Sequence, residues 1–237
     1  RALSADEVRQ LYVDPYGSLL RFSSASRLLT GIQFDAASNS GGQAAQSSYS
    51  WSHTCTGSSR YLLVGISMFS TAQTVSSITY NGVSLALLGS KTTGSNSRIE
   101  LWGLAAPATG TNTIAVTLSG IIDSVGIASS YINVHQTSPT EAFNSAGETN
   151  VGAADATVDI TTVANGDWVI DVVGATAEGS ISVGAGQRQR GNVAFGPPTG
   201  SGGMSDEGPK SPAGAVTMSW TGVGASITWS IGGIALR

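Results

Sequence analysis

The sequence is poor in charge and in the side chains that many catalytic and metal sites use. Charged residues make up 11% of its 237 residues, against roughly 25% in an ordinary globular protein. It has one cysteine, Cys55, and two histidines, so an intrachain disulfide is excluded and a zinc site lacks ligands. The densest basic patch is Arg188 with Arg190. We therefore expect no nucleic-acid surface.

Long hydrophobic runs are also missing. No apolar stretch approaches the roughly 20 residues of a membrane-spanning helix, so no membrane span is predicted. Hydrophobic residues still make up 41% of the chain, which is adequate for a core. Small uncharged residues fill the predicted surface, and the net charge is only −4. Such a surface suits a secreted protein, or one packed against neighbouring subunits.

The chain does contain many short alternations of apolar and polar residues. Leu62, Val64, Ile66 and Met68 recur at every second position, which places them on one face of a strand. Asn81-Gly82 separates two further apolar runs and is a strong type I′ hairpin signal. Asn165 and Gly166 mark a second candidate hairpin, and residues 169–173 predict a strand buried on both faces.

The turn and loop signals divide residues 32–237 into about a dozen strands. We expect loops or polar connections at residues 35–48, 139–155 and 196–214, and a bulge at Gly232 and Gly233. No helical pattern follows residue 16. The sequence therefore predicts an all-β domain, a two-sheet antiparallel β-sandwich of jelly-roll or immunoglobulin-like kind.

Residues 1–31 predict a separate N-terminal helix and arm. Ser4 and Glu7 have the spacing of a capping box, and Asp14-Pro15 ends the helix over residues 3–14. The segment that follows is too apolar for a free linker, and we expect it to dock on another subunit. Its docking residues would be Leu19, Leu20, Phe22, Leu28 and Leu29.

Two stretches resemble known families. The segment LSADEVRQLYVDPY (residues 3–16) resembles one found just after concanavalin-like, laminin-G-type domains of phage and bacterial surface proteins. The segments VSSITYNGVSLALL (75–88), GDWVIDVVGA (166–175) and ITWSIGGIAL (227–236) resemble a sandwich module of phage structural and tail proteins and of secreted bacterial proteins. This resemblance implies a modular virion or surface protein, located in the virion or outside the cell.

No catalytic motif stands out. His53 and His135 have no Gly-x-Ser-x-Gly elbow to pair with. Three acids lie in predicted strands, Glu100, Asp159 and Asp171; they could form a glycosidase pair, but we interpret them as outward-facing strand or edge charges. We predict no enzyme activity and no cofactor. Calcium stays open as an alternative at two oxygen-rich loops, one with Asp35, Ser38 and Asn39 and one with Asp206 and Glu207.

Aromatic residues offer the remaining candidates for contacts. The five tryptophans lie in alternating runs and are predicted to be core residues, although a sugar-stacking role stays open; they are Trp51, Trp102, Trp168, Trp220 and Trp229. Tyr61, Tyr80 and Phe195 are predicted to be exposed contacts near loop tips.

Three functions follow from these observations. The first is a non-catalytic structural module of a phage virion, as head decoration, tail or fibre, that contacts other subunits and forms a homo-oligomer. The second is a glycan-binding or adhesive module of a secreted bacterial surface protein. The third, a polysaccharide-acting enzyme, has the least support.

Overall fold

A computed structural model of the protein describes residues 31–151, 155–176, 181–195, 200–222 and 227–237. The chain divides into two compact units, Arg1–Gly31 and Ile32–Arg237. The predicted helix over residues 3–14 lies outside the described residues. The described part is all-β and contains no helix, hence no helix long and apolar enough to cross a membrane.

Fifteen strands make up the described part of the second unit. They are β1 (Gln33–Cys55), β2 (Tyr61–Met68), β3 (Val75–Tyr80), β4 (Val83–Ser84), β5 (Ala86–Thr93), β6 (Ser97–Ala105), β7 (Gly110–Ile132), β8 (Asn144–Val151), β9 (Ala156–Thr161), β10 (Trp168–Ala175), β11 (Ser182–Val183), β12 (Arg188–Phe195), β13 (Gly200–Glu207), β14 (Ala215–Thr221) and β15 (Ile227–Leu236).

The strands form three antiparallel sheets. The large sheet has the order β4-β3-β7-β2-β6-β5, with β1 also paired to β7; the middle sheet has the order β12-β13-β10-β15-β8, and the small sheet β11-β14-β9. Strands β4 and β5 stand at opposite ends of the large sheet, yet only Leu85 separates them along the chain. The large sheet therefore curls until it is nearly closed.

Three hydrophobic clusters lie between or within these sheets. One joins β2, β6 and β7 of the large sheet to β10, β13 and β15 of the middle sheet. A second joins the middle sheet to β9 and β14 of the small sheet. The third lies inside the curl of the large sheet and contains Leu62, Val64, Ile66 and Met68. The predicted alternation in this strand is thus confirmed, and the other face of β2 is buried as well.

The first predicted hairpin is confirmed. β3 and β4 pair across Asn81 and Gly82, and Tyr80 lies opposite Val83. Both turn residues have positive φ, 50° and 77°, as a type I′ turn requires. The predicted strand at residues 169–173 is also confirmed as fully buried, at the centre of the middle sheet.

The second predicted hairpin is wrong. β9 and β10 flank Asn165 and Gly166 but do not pair: β9 pairs with β14, and β10 pairs with β13 and β15. Burial explains the separation, because β9 alternates between buried and exposed residues whereas every residue of β10 is buried. A strand with one apolar face fits an outer sheet, and one with two apolar faces fits the middle sheet.

The predicted loops contain strands. Residues 35–48 belong to β1, which pairs with β7 and shows several register shifts along the pairing. Residues 144–151 form β8. Within residues 196–214, β13 is almost wholly buried. Its glycines permit close packing: a Cβ on Gly203 would overlap the Trp220 ring, and one on Gly202 would press on Val125 and Ser67. The glycines of β13 therefore allow the neighbouring sheets to approach closely.

Gly232 and Gly233 form no bulge, since their pairing with Val172 and Asp171 of β10 is continuous. A Cβ on Gly233 would overlap the carbonyl oxygen of Ile170. Backbone in the centre of a sheet cannot move aside, so we expect Gly233→Ala to destabilise the domain by about 1–3 kcal/mol. Urea unfolding followed by tryptophan fluorescence would measure this change.

Gly214→Ala is the matched control, because a Cβ there meets nothing within 4 Å and its φ is not in the left-handed region. At such a site alanine is expected to be neutral or stabilising by about 0.4–1 kcal/mol. Equal stability of the two variants would contradict the steric explanation.

Candidate functional site

The predicted contact tyrosines are buried, so this interpretation is wrong for both. Tyr61 is 3% exposed and Tyr80 is 0% exposed. The Tyr80 hydroxyl lies within hydrogen-bond distance of the backbone carbonyl oxygens of Gly110 (3.0 Å) and His53 (3.2 Å), and it donates its single hydrogen to one of them at a time. Burial raises the pKa of each tyrosine to about 12. These carbonyl oxygens provide the polar partner that the buried hydroxyl of Tyr80 needs, and neither tyrosine ring can contact a ligand at the surface.

Phe195 is partly buried and packs against the cluster between the large and middle sheets. Its ring centroid lies 6.1 Å from that of Phe69, and its ring also lies against Gly42 of β1. Phe195 therefore packs at the margin of this cluster and remains partly exposed. Its role as a contact residue stays a prediction.

The predicted docking residues Leu19, Leu20, Phe22, Leu28 and Leu29 lie outside the described residues. The tryptophan prediction is confirmed for Trp168, Trp220 and Trp229, which are at most 5% exposed. Trp51 and Trp102 are only half-buried, at the margin of the cluster inside the curled sheet. Cys55 is fully buried, as predicted for a small strand residue.

Of the three strand acids, only Asp159 is exposed, so the outward-facing interpretation is wrong for the other two. Glu100 is 1% exposed and points into the curl of the large sheet. Its Oε1 accepts hydrogen bonds from Arg98 (2.8 Å) and from the backbone N–H of Val75 (3.2 Å), and its Oε2 accepts one from Trp102 (3.1 Å). Glu100 thereby links β6 to the start of β3, two strands that are not neighbours in the sheet.

Asp171 is 0% exposed and lies between the middle and small sheets. Its Oδ1 accepts from the backbone N–H (2.9 Å) and hydroxyl (2.7 Å) of Ser205, and its Oδ2 accepts from Trp220 Nε1 (2.9 Å). Burial raises its pKa to about 7, although these donors pull the pKa down. Asp171 thus joins β10 to β13 and to β14 of the small sheet.

The sequence analysis placed a further acid, Asp206, in an oxygen-rich loop and did not predict that it is buried. Asp206 is 0% exposed and forms a two-point ion pair with Arg190, at 2.5 and 2.9 Å. It also accepts a hydrogen bond of 2.8 Å from the Tyr131 hydroxyl. The Arg190 guanidinium lies 3.5 Å from the centre of the Phe34 ring. Arg190 and Asp206 are opposite charges in a chain with few charged residues, and this was the available signal. The prediction of a loop at residues 196–214, however, gave no reason to expect a buried carboxylate there.

All three carboxylates of the calcium hypothesis are engaged by protein donors, since Glu207 is ion-paired with Lys210. Asp206 binds Arg190 and Tyr131, and Asp35 accepts hydrogen bonds from Thr56 and Ser130. Among the described residues, no three His, Cys, Asp or Glu side chains lie close enough together to hold a metal ion. Calcium binding at these two places therefore has no support from their geometry.

His53 is 2% exposed and contacts a serine, but in an arrangement unlike a catalytic triad. Its Nδ1 lies 2.8 Å from Ser38 Oγ, which also accepts a hydrogen bond from Trp51. In a triad the orienting acid holds one ring nitrogen and the serine the other, whereas Asp35 is bonded to Thr56 and Ser130. Burial lowers the pKa of His53 to about 4, and Ser38 ties the two halves of β1 together. His135 is exposed and accepts a hydrogen bond from the Ser138 N–H.

One shallow recess of about 300 Å³ contains two acids. It is lined by Glu141, Ala142, Phe143, Asn144, Asp159, Thr161 and Val163. Glu141 is ion-paired with Arg237 at 3.1 Å, and Asp159 accepts a hydrogen bond of 2.6 Å from the Thr217 hydroxyl. Both acids thus already have protein partners. The recess therefore does not present the pair of free carboxylates that glycoside hydrolysis needs.

A surface of uniform chemistry lies on the outside of the curled sheet. We call it the hydroxyl face: the outward side chains of residues 48–54, 111–117, 77–79 and 84, which lie on β1, β7, β3 and β4. They are Ser48, Ser50, Ser52, Thr54, Thr111, Thr113, Ala115, Thr117, Ser77, Thr79 and Ser84. The inward side chains between them, such as Ile114 and Val116, belong to the core. The face is neutral throughout.

The comparisons with known proteins give no relative. No protein-family model, curated protein or solved structure matches this chain.

Proposed function

We propose that this chain is a non-catalytic structural module of a phage virion, in a head decoration, tail or fibre, and acts through contacts with other subunits. The observation that carries the proposal is the division of its polar groups. The buried acids all accept hydrogen bonds from internal donors; they are Glu100, Asp167, Asp171 and Asp206. The hydroxyl face, in contrast, presents a neutral surface of small side chains. Such a domain is equipped for contact rather than for proton transfer.

The finer assignment of the fold belongs to the same proposal. Packing of the large and middle sheets around one shared cluster supports a sandwich of jelly-roll or immunoglobulin-like kind. The apolar segment with Leu19, Leu20, Phe22, Leu28 and Leu29 would dock on a neighbouring subunit, and the assembled protein would be found in the virion or outside the cell.

Electron microscopy of the purified full-length chain tests this proposal. We expect symmetric assemblies at high protein concentration, and we expect the double substitution Leu20→Asp with Leu28→Asp to abolish them by placing charge in the docking segment. A monodisperse monomer at every concentration would contradict the proposal.

A glycan-binding or adhesive module is the second candidate, and the half-buried pair of Phe69 and Phe195 favours it. Aromatic faces at a surface provide a flat apolar platform. Binding of the chain to a glycan array that is lost in Phe195→Ala, together with absence of assemblies, would favour this second function over the first.

A further inference from the structure

The chain contains two Asn-Gly pairs, Asn81-Gly82 and Asn165-Gly166, and the two residues of such a pair can react with each other. The backbone nitrogen of the glycine attacks the side-chain carbonyl carbon of the asparagine, because no Cβ on the glycine obstructs the approach. The attack closes a five-membered succinimide ring. Its rate in a folded protein depends on how firmly the surrounding structure holds the two reacting groups.

In the first pair the reacting groups are free. Asn81 and Gly82 are both exposed, and a Cβ built on Gly82 would meet no atom within 4 Å. The backbone N–H of Asn81 donates to the carbonyl oxygen of Thr113 at 3.1 Å. Within the part of the chain that the structure describes, no hydrogen bond reaches the N–H of Gly82 or the side-chain amide of Asn81. The attacking nitrogen and the carbon that it attacks are therefore both open to water.

The hairpin of β3 and β4 restrains this reaction only weakly. A type I′ turn, with a φ of 50° at Asn81, directs the nitrogen of Gly82 away from the Asn81 side chain, so the turn must open before the ring can close. β4 consists of Val83 and Ser84, which are both exposed, and it pairs with β3 through two residue pairs. Opening so short a pairing breaks few hydrogen bonds and few buried contacts, so it occurs readily in the folded domain.

In the second pair both reacting groups are held. The N–H of Gly166 donates a hydrogen bond of 2.8 Å to the carbonyl oxygen of Lys210. The side-chain oxygen of Asn165 accepts one of 2.9 Å from the N–H of Ala213. The nitrogen and the side-chain carbonyl carbon can approach each other only when these bonds break. The fold thus leaves one Asn-Gly pair free to react and restrains the other.

We propose that Asn81 is a modification site, at which the folded chain loses ammonia and converts this asparagine to aspartate or isoaspartate. The nitrogen of Gly82 forms a bond to Cγ of Asn81 while the bond from Cγ to Nδ2 breaks, and the proton of the nitrogen leaves with the ammonia. Water then opens the ring and returns a proton to the nitrogen. Cleavage at Cγ gives aspartate, and cleavage at the backbone carbonyl carbon gives isoaspartate. Water is the only co-reactant, and no atom is oxidised or reduced.

Either product changes the hairpin. The new carboxylate adds one negative charge to a chain whose net charge is −4. Isoaspartate also lengthens the main chain by one CH₂ group within a two-residue turn, which opposes the pairing of Tyr80 with Val83. The charge and the strand pairing at this end of the large sheet therefore change with the age of the protein, whether or not the chain assembles as proposed above.

Peptide mapping by mass spectrometry tests the proposal on the full-length chain, incubated at mildly alkaline pH and physiological temperature. The measured quantity is the fraction of each Asn-Gly pair whose amide has become an acid. Because two hydrogen bonds must break at Asn165, we expect Asn81 to be converted at least about tenfold faster in the folded chain. The same chain unfolded in guanidinium chloride is the matched control. There both pairs lack tertiary contacts and should react at similar rates.

Asn81→Gln provides a second measurement. It keeps the side-chain amide, but its longer side chain would have to close a less favourable six-membered ring, so most of the acidic form that ion-exchange chromatography detects in the folded chain should be lost. Persistence of that form in the variant would overturn the proposal. Conversion of Asn165 as fast as Asn81 in the folded chain would do the same. Conversion of Asn81 only after unfolding would show that the turn protects it, and the proposal would be wrong.

Discussion

Asp206→Ala is expected to destabilise the domain by about 3–5 kcal/mol, because it leaves the Arg190 guanidinium beneath the surface without its carboxylate. Arg190 is only 13% exposed and is held against Phe34, so it cannot turn fully into water. The Tyr131 hydroxyl loses its acceptor as well. Urea unfolding followed by tryptophan fluorescence would measure the loss.

Two further variants separate the ion pair from the general effect of removing an acid. Asp159→Ala removes an exposed carboxylate and should change the free energy of unfolding by no more than about 0.5 kcal/mol. Asp206→Met combined with Arg190→Met removes both charges and should recover part of the stability that Asp206→Ala loses. If Asp206→Ala lowered the free energy of unfolding by no more than Asp159→Ala does, the ion pair would not contribute to the stability of the domain.

The pH dependence of stability should change markedly in Asp171→Asn. Burial raises the pKa of Asp171 to about 7 in the folded domain, whereas an aspartate in an unfolded chain has its ordinary pKa of 3.8. Between these values the unfolded chain releases a proton that the folded domain keeps, so this acid makes stability fall as pH rises from about 4 to 7. The slope is roughly 1.4 kcal/mol per pH unit, and the total is on the order of 4 kcal/mol.

His53 acts with the opposite sign over part of this range. Its pKa is lowered from 6.5 to about 4, so its contribution to stability is present above pH 6.5 and is lost as pH falls toward 4. In the unmodified chain the two slopes oppose each other. Asp171→Asn removes one, and we expect its free energy of unfolding to fall on acidification from pH 6.5 to 4 more steeply than that of the unmodified chain.

Urea unfolding at several pH values would measure both curves, and only their difference is needed. Asparagine offers one acceptor where three donors converge, so the variant is also less stable at every pH; the slope, not the level, reports the titration. Parallel curves for the two proteins between pH 4 and 7 would contradict a raised pKa for Asp171.

Local patterns in the sequence were sufficient for the class of fold and for single elements. Alternation identified β2 and the buried strand β10, and Asn81-Gly82 identified the hairpin of β3 and β4, because side-chain direction and turn conformation depend on neighbouring residues. The same signals misled where glycine and serine had a packing role, as in β13 and the first half of β1. Small residues there predicted loops, although they allow other elements to approach closely.

The sequence by itself determined an all-β, antiparallel protein with few surface charges and few side chains for metal or acid–base chemistry. Only the tertiary structure decided which strands share a sheet and that Glu100, Asp171 and Asp206 lie inside. Whether a carboxylate can be buried depends on hydrogen-bond donors from distant strands. Tyr131 is 75 residues from Asp206, and Trp220 is 49 residues from Asp171. The alternation of apolar and polar residues shows which face of a strand is buried. It does not show which distant strands pack on that face, because strand pairing depends on burying the apolar faces of all strands together.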